Sequence, residues 1–117
     1  MGRLTTHVLD TAHGVPAAGL AFTLYRVEGD RRTSLLTGRT NADGRHDSPL
    51  LEGEALAAGT YELVFACAEY FRGRGVTLPE PPFVDRVTLA FGIADPAGHY
   101  HVPLLVSPWA YSTYRGS

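Results

Sequence analysis

The run Val87-Thr88-Leu89-Ala90-Phe91-Gly92-Ile93, the turn Asp95-Pro96-Ala97-Gly98 and the run His99-Tyr100-His101-Val102-Pro103-Leu104-Leu105-Val106 decide the fold. Val87, Leu89, Phe91 and Ile93 line up on one side of the first run, and Tyr100, Val102, Leu104 and Val106 on one side of the second. A period of two marks strands, whose successive side chains point to opposite faces. The Pro-Gly turn between them is too short for a helix. Pro103 lacks the N–H that an interior strand donates, so a bulge or an unpaired side is expected there. On the face opposite the apolar stripe stand His99, His101, Pro103 and Leu105.

The same alternation recurs outward in both directions. Leu4 to Asp10 sets Leu4, Thr6 and Val8 against Thr5, His7 and Leu9. Leu20 to Glu28 and Thr33 to Thr40 read as two further strands joined by a polar turn, Gly29-Asp30-Arg31-Arg32. Ala12 to Gly19, rich in Gly and Pro, reads as a loop that leaves His13 in solvent. Asn41-Ala42-Asp43-Gly44-Arg45 holds an Asp-Gly turn signal and places Arg45 just past a tight bend, with His46 beside it as a solvated turn residue. Leu50 to Ala58 suggests a brief edge strand near Glu54, and Thr60 to Cys67 a firm strand facing inward through Tyr61, Leu63, Phe65 and Cys67. Ala68 to Gly73 loses the period of two and reads as the one short helix. Leu78-Pro79-Glu80-Pro81-Pro82 is a connector, because its prolines cannot feed a ladder. Beyond Pro108 the chain closes on Tyr111-Ser112-Thr113-Tyr114-Arg115-Gly116-Ser117, a last strand that Trp109, Tyr111 and Tyr114 are expected to anchor. About eight short strands and one small helix argue for an all-β, antiparallel β-sandwich.

Composition narrows what such a sandwich does. The 117 residues suit one domain, 1–117, and 44% hydrophobic with 19% charged residues suits a soluble globular chain. A formal charge of -2 gives no basic footprint, which excludes nucleic acid as the expected partner. The start has no apolar signal core, and no apolar run is long enough to span a bilayer, so a cytoplasmic protein without a membrane partner is expected. A single cysteine, Cys67, forms no intrachain disulfide and reads as a buried small hydrophobe.

His7 and His101 fall on the non-core faces of their strands. Were those strands neighbours, two imidazoles would share a surface groove, where histidine suits proton transfer near neutral pH. Two half-exposed structural histidines are the bland alternative. His99 and His101, two apart, with His7 as a third ligand, outline an open zinc site only weakly, with no paired-Cys or His-Glu-x-x-His motif in support. Arg45 offers a planar fork of donors to an oxygen-rich ligand, or stays in solvent. No nucleophile elbow, phosphate-cradling loop or Cys-His nucleophile is in view, and a covalent nucleophile is not required if a base activates water.

Leu4-Thr5-Thr6-His7-Val8-Leu9-Asp10, Thr40-Asn41-Ala42-Asp43-Gly44-Arg45 and the closing Tyr111-Ser112-Thr113-Tyr114-Arg115-Gly116-Ser117 are collinear motifs. Together they resemble the transthyretin-like 5-hydroxyisourate hydrolases over essentially the whole chain. The terminal Tyr-Arg-Gly-Ser is the most specific, since the hormone-carrying transthyretins share the fold without it. The resemblance implies a transthyretin-like sandwich assembled as a homotetramer, with substrate sites in a channel where two dimers meet. It implies hydrolysis of 5-hydroxyisourate in urate breakdown, with no cofactor and no metal. Carried over residue by residue, it assigns His7, Arg45, His101 and Ser117 to catalysis and Tyr114, Arg115 and Gly116 to substrate binding. In this scheme Arg45 and Arg115 grip the substrate, and the terminus places Arg115 and Ser117 beside the two histidines, from across a subunit interface or within one subunit. The rival is a transthyretin-like carrier that binds a small molecule without reaction.

Overall fold

Leu4, Thr6, Val8 and Asp10 are all buried, while the residues between them are half-buried or exposed, so strand β1 (Arg3–Asp10) is inserted edge-on between core and surface. The computed structural model describes residues 1–116. Along them follow β2 (Val15–Pro16), β3 (Ala21–Glu28), β4 (Arg31–Arg39), β5 (Leu51–Glu52), a single 3₁₀ turn (Gly53–Ala55), β6 (Gly59–Ala66), helix α1 (Cys67–Gly73), β7 (Arg86–Ile93), β8 (His99–Val106) and β9 (Tyr111–Thr113). One sheet runs β2-β1-β8-β9, with β5 also on β1, and the other runs β4-β3-β6-β7. Every ladder is antiparallel except β1 with β8, which is parallel and sets Thr5 opposite His101 and His7 opposite Pro103. The facing sides of the two sheets interdigitate through Leu4, Val8, Phe22, Leu63, Phe65 and Leu104. Each is 2% exposed or less, so truncating Phe65 to Ala would cost about 3–5 kcal/mol.

Several boundaries differ from those the sequence suggests. Arg31 and Arg32 belong to β4, not to the turn, because Arg32 stacks on Tyr25 (4.1 Å) and pairs with Glu62 (3.1 Å) across the sheet. The edge strand lies at Leu51–Glu52, and Glu54 sits in the 3₁₀ turn after it. Cys67 opens α1 instead of closing β6; burial pushes its thiol up to about 12, which leaves it an inert core group. Pro103 behaves as expected. Gly116 N–H donates to His101 O at 2.8 Å, and the next hydrogen-bonded pair in that register would join Pro103 to Tyr114, but Pro103 has no proton to give. The β8–β9 ladder therefore stops at Thr113 and resumes only as a single bridge at Gly116.

Two further corrections concern polar groups. His13 is exposed in its loop as expected, but it is tethered there: its Nδ1 donates to the buried Asp10 carboxylate at 2.6 Å, and Tyr70 OH of α1 donates to the same carboxylate at 2.8 Å. Nor do aromatics anchor the C-terminal stretch, since Trp109, Tyr111 and Tyr114 are 60%, 50% and 62% exposed. What holds it is backbone pairing, the Thr113 hydroxyl donating to Pro103 O (2.7 Å) and the Arg115 guanidinium donating to His99 O (3.2 Å).

Candidate active site

Parallel pairing of β1 and β8 brings two outward rows side by side: Arg3, Thr5 and His7 on one, His99, His101 and Pro103 on the other. The His7 and His101 rings lie 6.5 Å apart, centroid to centroid. Beyond β1 the bend at 41–45 docks against the strand edge. Asn41 Oδ1 accepts the N–H groups of Asp43 and Arg45 (2.9 and 3.1 Å), and Gly44 takes a left-handed φ of 76°. A Cβ at Gly44 would fall 2.3 Å from Val8 O, so only glycine lets the bend close on β1 and present Gly44 O to the Val8 N–H (2.8 Å). Docked this way, Arg45 pairs with His7 as an isolated bridge, and Asp43 O lies 2.9 Å from His7 Nε2. A carbonyl oxygen only accepts, so His7 carries its proton on Nε2.

The result is an open hollow of about 500 Å³ walled by Arg3, Thr5, Arg45, His46, His99 and His101. Burial, then the Arg45 charge, then His7 hold the His101 imidazole below its ordinary 6.5, so it is neutral near pH 7 and free to take a proton. Its Nδ1 lies 2.8 Å from Thr5 Oγ1. On its other edge a Cβ at Gly116 would meet His101 Cδ2 at 2.7 Å, so this glycine is what allows the terminal stretch to lie flat against the ring.

Of the residues assigned from the sequence, His7, Arg45, His101 and Gly116 come together within one chain. Arg115 does not. With Gly116 opposite His101, the preceding residue turns to the other face, and the Arg115 guanidinium stacks over Tyr100 at 4.4 Å. It shares with Tyr114 a second cleft of about 340 Å³ at the open edge between β7 and β9. Ser117 lies outside the described residues. Arg3, Thr5 and His46 were missed as site residues. Arg3 and Thr5 share the parity of His7. His46 is no solvated turn residue: it packs edge-on against Phe22 (5.6 Å) while lining the hollow. As for zinc, among the described residues no three His, Cys, Asp or Glu side chains gather to hold a metal ion. His99 Nε2 donates instead to Met1 O (3.1 Å).

The sequence profile of the HIUase/Transthyretin family matches residues 4–116. The chain belongs to this family. A relative from Ralstonia nicotianae, a 5-hydroxyisourate hydrolase, is 64% identical over 117 residues, 100% of both chains. Among solved structures, that of (S)-allantoin synthase superposes with a TM-score of 0.94 at 46% identity, over 99% of this chain and 44% of that one. Sea bream transthyretin in complex with thyroxine superposes with a TM-score of 0.85 at 31% identity, over 97% of this chain and 94% of that one. The HIUase/Transthyretin fold thus serves an enzyme as well as a thyroxine-binding protein, and what a member does has to be argued from its site.

Proposed function

We propose that this member of the family is a 5-hydroxyisourate hydrolase, and that the hollow beside His7 is where the ring amide opens. The observation that carries the reading is the His101 imidazole, its centroid 6.5 Å from that of the His7 ring, lining a hollow that Arg45 also lines. A water in that hollow gives a proton to His101 as its oxygen attacks the amide carbonyl. The carbonyl π electrons move onto oxygen, where Arg45 donates to the oxyanion. The C–N bond then breaks, the ring nitrogen takes up the proton, and the new carboxyl ionises to give the ureidoimidazoline carboxylate. Base catalysis is typically worth about 10²–10⁴ in rate and one oxyanion donor about 10²–10³, enough between them for an activated cyclic amide.

Gly116 serves this scheme by packing against His101, and Ser117, Tyr114 and Arg115 are assigned to substrate contact through assembly. Within its own chain Arg115 turns away from the His7 and His101 rings, β7 and β9 are sheet edges, and Tyr111 on β9 and Tyr114 just past it are exposed. Edges of that kind need covering. A homotetramer belongs to the proposal on that ground; light scattering that returned a monomer at working concentration would remove the assembly from it.

The likeness to a thyroxine-bound transthyretin favours a second reading, binding without reaction. Freshly generated 5-hydroxyisourate, followed by its ultraviolet absorbance with and without chelator, separates the two. Accelerated, chelator-resistant decay is expected. Decay at the spontaneous rate leaves only a binding protein.

A further inference from the structure

His101 is clamped on both ring edges. Its Nδ1 edge meets Thr5 Oγ1 at 2.8 Å from β1, and its Cδ2 edge meets Gly116 from the terminal stretch. A ring flip would drive a carbon into the hydroxyl and separate Nδ1 from its partner, so the ring has one seat. In that seat Nε2 has no hydrogen-bond partner among the described residues and is the nitrogen left to the hollow. The chemistry of Nε2 then depends on which nitrogen carries the proton, and a hydroxyl, unlike a carbonyl, fits either tautomer. The choice is set by what else faces the ring. Arg45 shares the hollow with His101, and a cation there disfavours an N–H directed into the hollow and favours a lone pair. His7 keeps its own proton on Nε2 toward Asp43 O, and the Asp47 carboxylate that also lines the hollow accepts from Asn41 Nδ2 at 2.9 Å.

We propose that Thr5 is a positioning residue for the hydrolysis: its hydroxyl accepts a hydrogen bond from Nδ1–H of His101 and so commits this histidine to the tautomer whose bare Nε2 faces the hollow as the proton acceptor. The inference rests on the hydrolase reading for its kinetic consequence but not for its tautomer. Thr5 touches no reacting atom. It acts through His101, as a backbone carbonyl or carboxylate does for many catalytic histidines.

Nitrogen-15 imidazole correlation spectra and turnover of 5-hydroxyisourate, on the wild type, Thr5→Val and Thr5→Ser, test it. In the wild type above the His101 titration, Nδ1 is expected to be the protonated nitrogen and Nε2 the bare one. Thr5→Val keeps shape and strand propensity, and is expected to lose that preference and about tenfold in kcat with KM little changed. Thr5→Ser should restore both. A wild-type spectrum with the proton on Nε2 would overturn the proposal even if Thr5→Val proved unable to fold. So would a Thr5→Val protein that keeps the wild-type nitrogen pattern, or one that loses it at full turnover. Should the wild type fail to accelerate decay of 5-hydroxyisourate, the hydrolase reading falls, while the nitrogen pattern still decides what Thr5 does.

Discussion

Strand β1 holds a histidine arrangement at each end, and the two are built oppositely. Toward its start, Thr5 bonds to His101 with a neutral hydroxyl, and the ring faces an open hollow beside a guanidinium. At its end, Asp10 bonds to His13 with a carboxylate that is itself 1% exposed and also receives Tyr70 OH and the N–H groups of Ala12 and His13. Burial pushes the Asp10 carboxyl up, but the hydrogen bonds from His13 and Tyr70 outweigh it and hold the group below its ordinary 3.8. The Tyr70 hydroxyl, buried against that carboxylate, is pushed up to about 12. Both oxygens of the Asp10 carboxylate are spoken for, so the cluster ties the loop after β1 to α1. Each histidine keeps one ring nitrogen, Nε2, without a partner among the described residues. The difference between a histidine that holds a fold and one that does chemistry lies here in what that nitrogen is offered, a hollow shared with Arg45 for His101 and bulk solvent for the exposed His13, not in the residue type.

The widest separation between the two ends should appear in kinetics. His101→Ala is expected to lower kcat by about 10²–10⁴ with little change in melting temperature, whereas His13→Ala should keep kcat and lose stability. Equal kinetic losses in both would erase the contrast. Arg45→Ala comes next, with a loss of about 10²–10³ if the guanidinium meets the oxyanion. A loss confined to KM would instead make Arg45 a binding group only. Asp10→Ala strands the buried Tyr70 hydroxyl and takes the acceptor from two loop N–H groups, and should cost about 2–4 kcal/mol of folding free energy in denaturant titration at unchanged turnover per folded molecule.

The contrast also shows how far the sequence reaches. Parity along β1 and β8 placed His7 and His101 on non-core faces, because alternation is local and each strand states its own. That the two strands are neighbours, and parallel, is not local: Thr5 and His101 are 96 residues apart, and nothing in either strand names the other as partner. The register that gives His101 its hydroxyl therefore had to come from the structure. Arg3 and Thr5 were readable by the same parity as His7, yet threonine in a strand signals only propensity until its partner is known. Arg115 marks a limit of another kind. One residue along from Gly116 is the other face, so within its own chain the Arg115 guanidinium turns to Tyr100, and only an assembly could bring it to the two imidazoles. The exposure of His13 was legible in its Gly- and Pro-rich loop, but its tether was not, because the carboxylate it bonds sits three residues earlier at a buried strand position.

Acid separates the two ends more gently, by where each loses stability. For His101 the folded value lies below the unfolded 6.5, so the unfolded state binds a proton first as pH falls. Its contribution is full above 6.5 and declines from there down to the folded value. For Asp10 the folded value lies below the unfolded 3.8, so its contribution is present above 3.8 and is lost only as pH falls through the folded value. Unfolding free energy measured against pH should thus show two separate declines. Substituting His101→Gln should flatten the one that begins near 6.5, and Asp10→Asn the one that begins near 3.8. The slope at each pH counts the protons taken up on unfolding, so each substitution should remove less than one proton from its own window and none from the other. A His101→Gln protein whose acid limb below 3.8 also flattened would mean that the two ends of β1 titrate as one unit, and that the division between a structural and a chemical histidine does not hold.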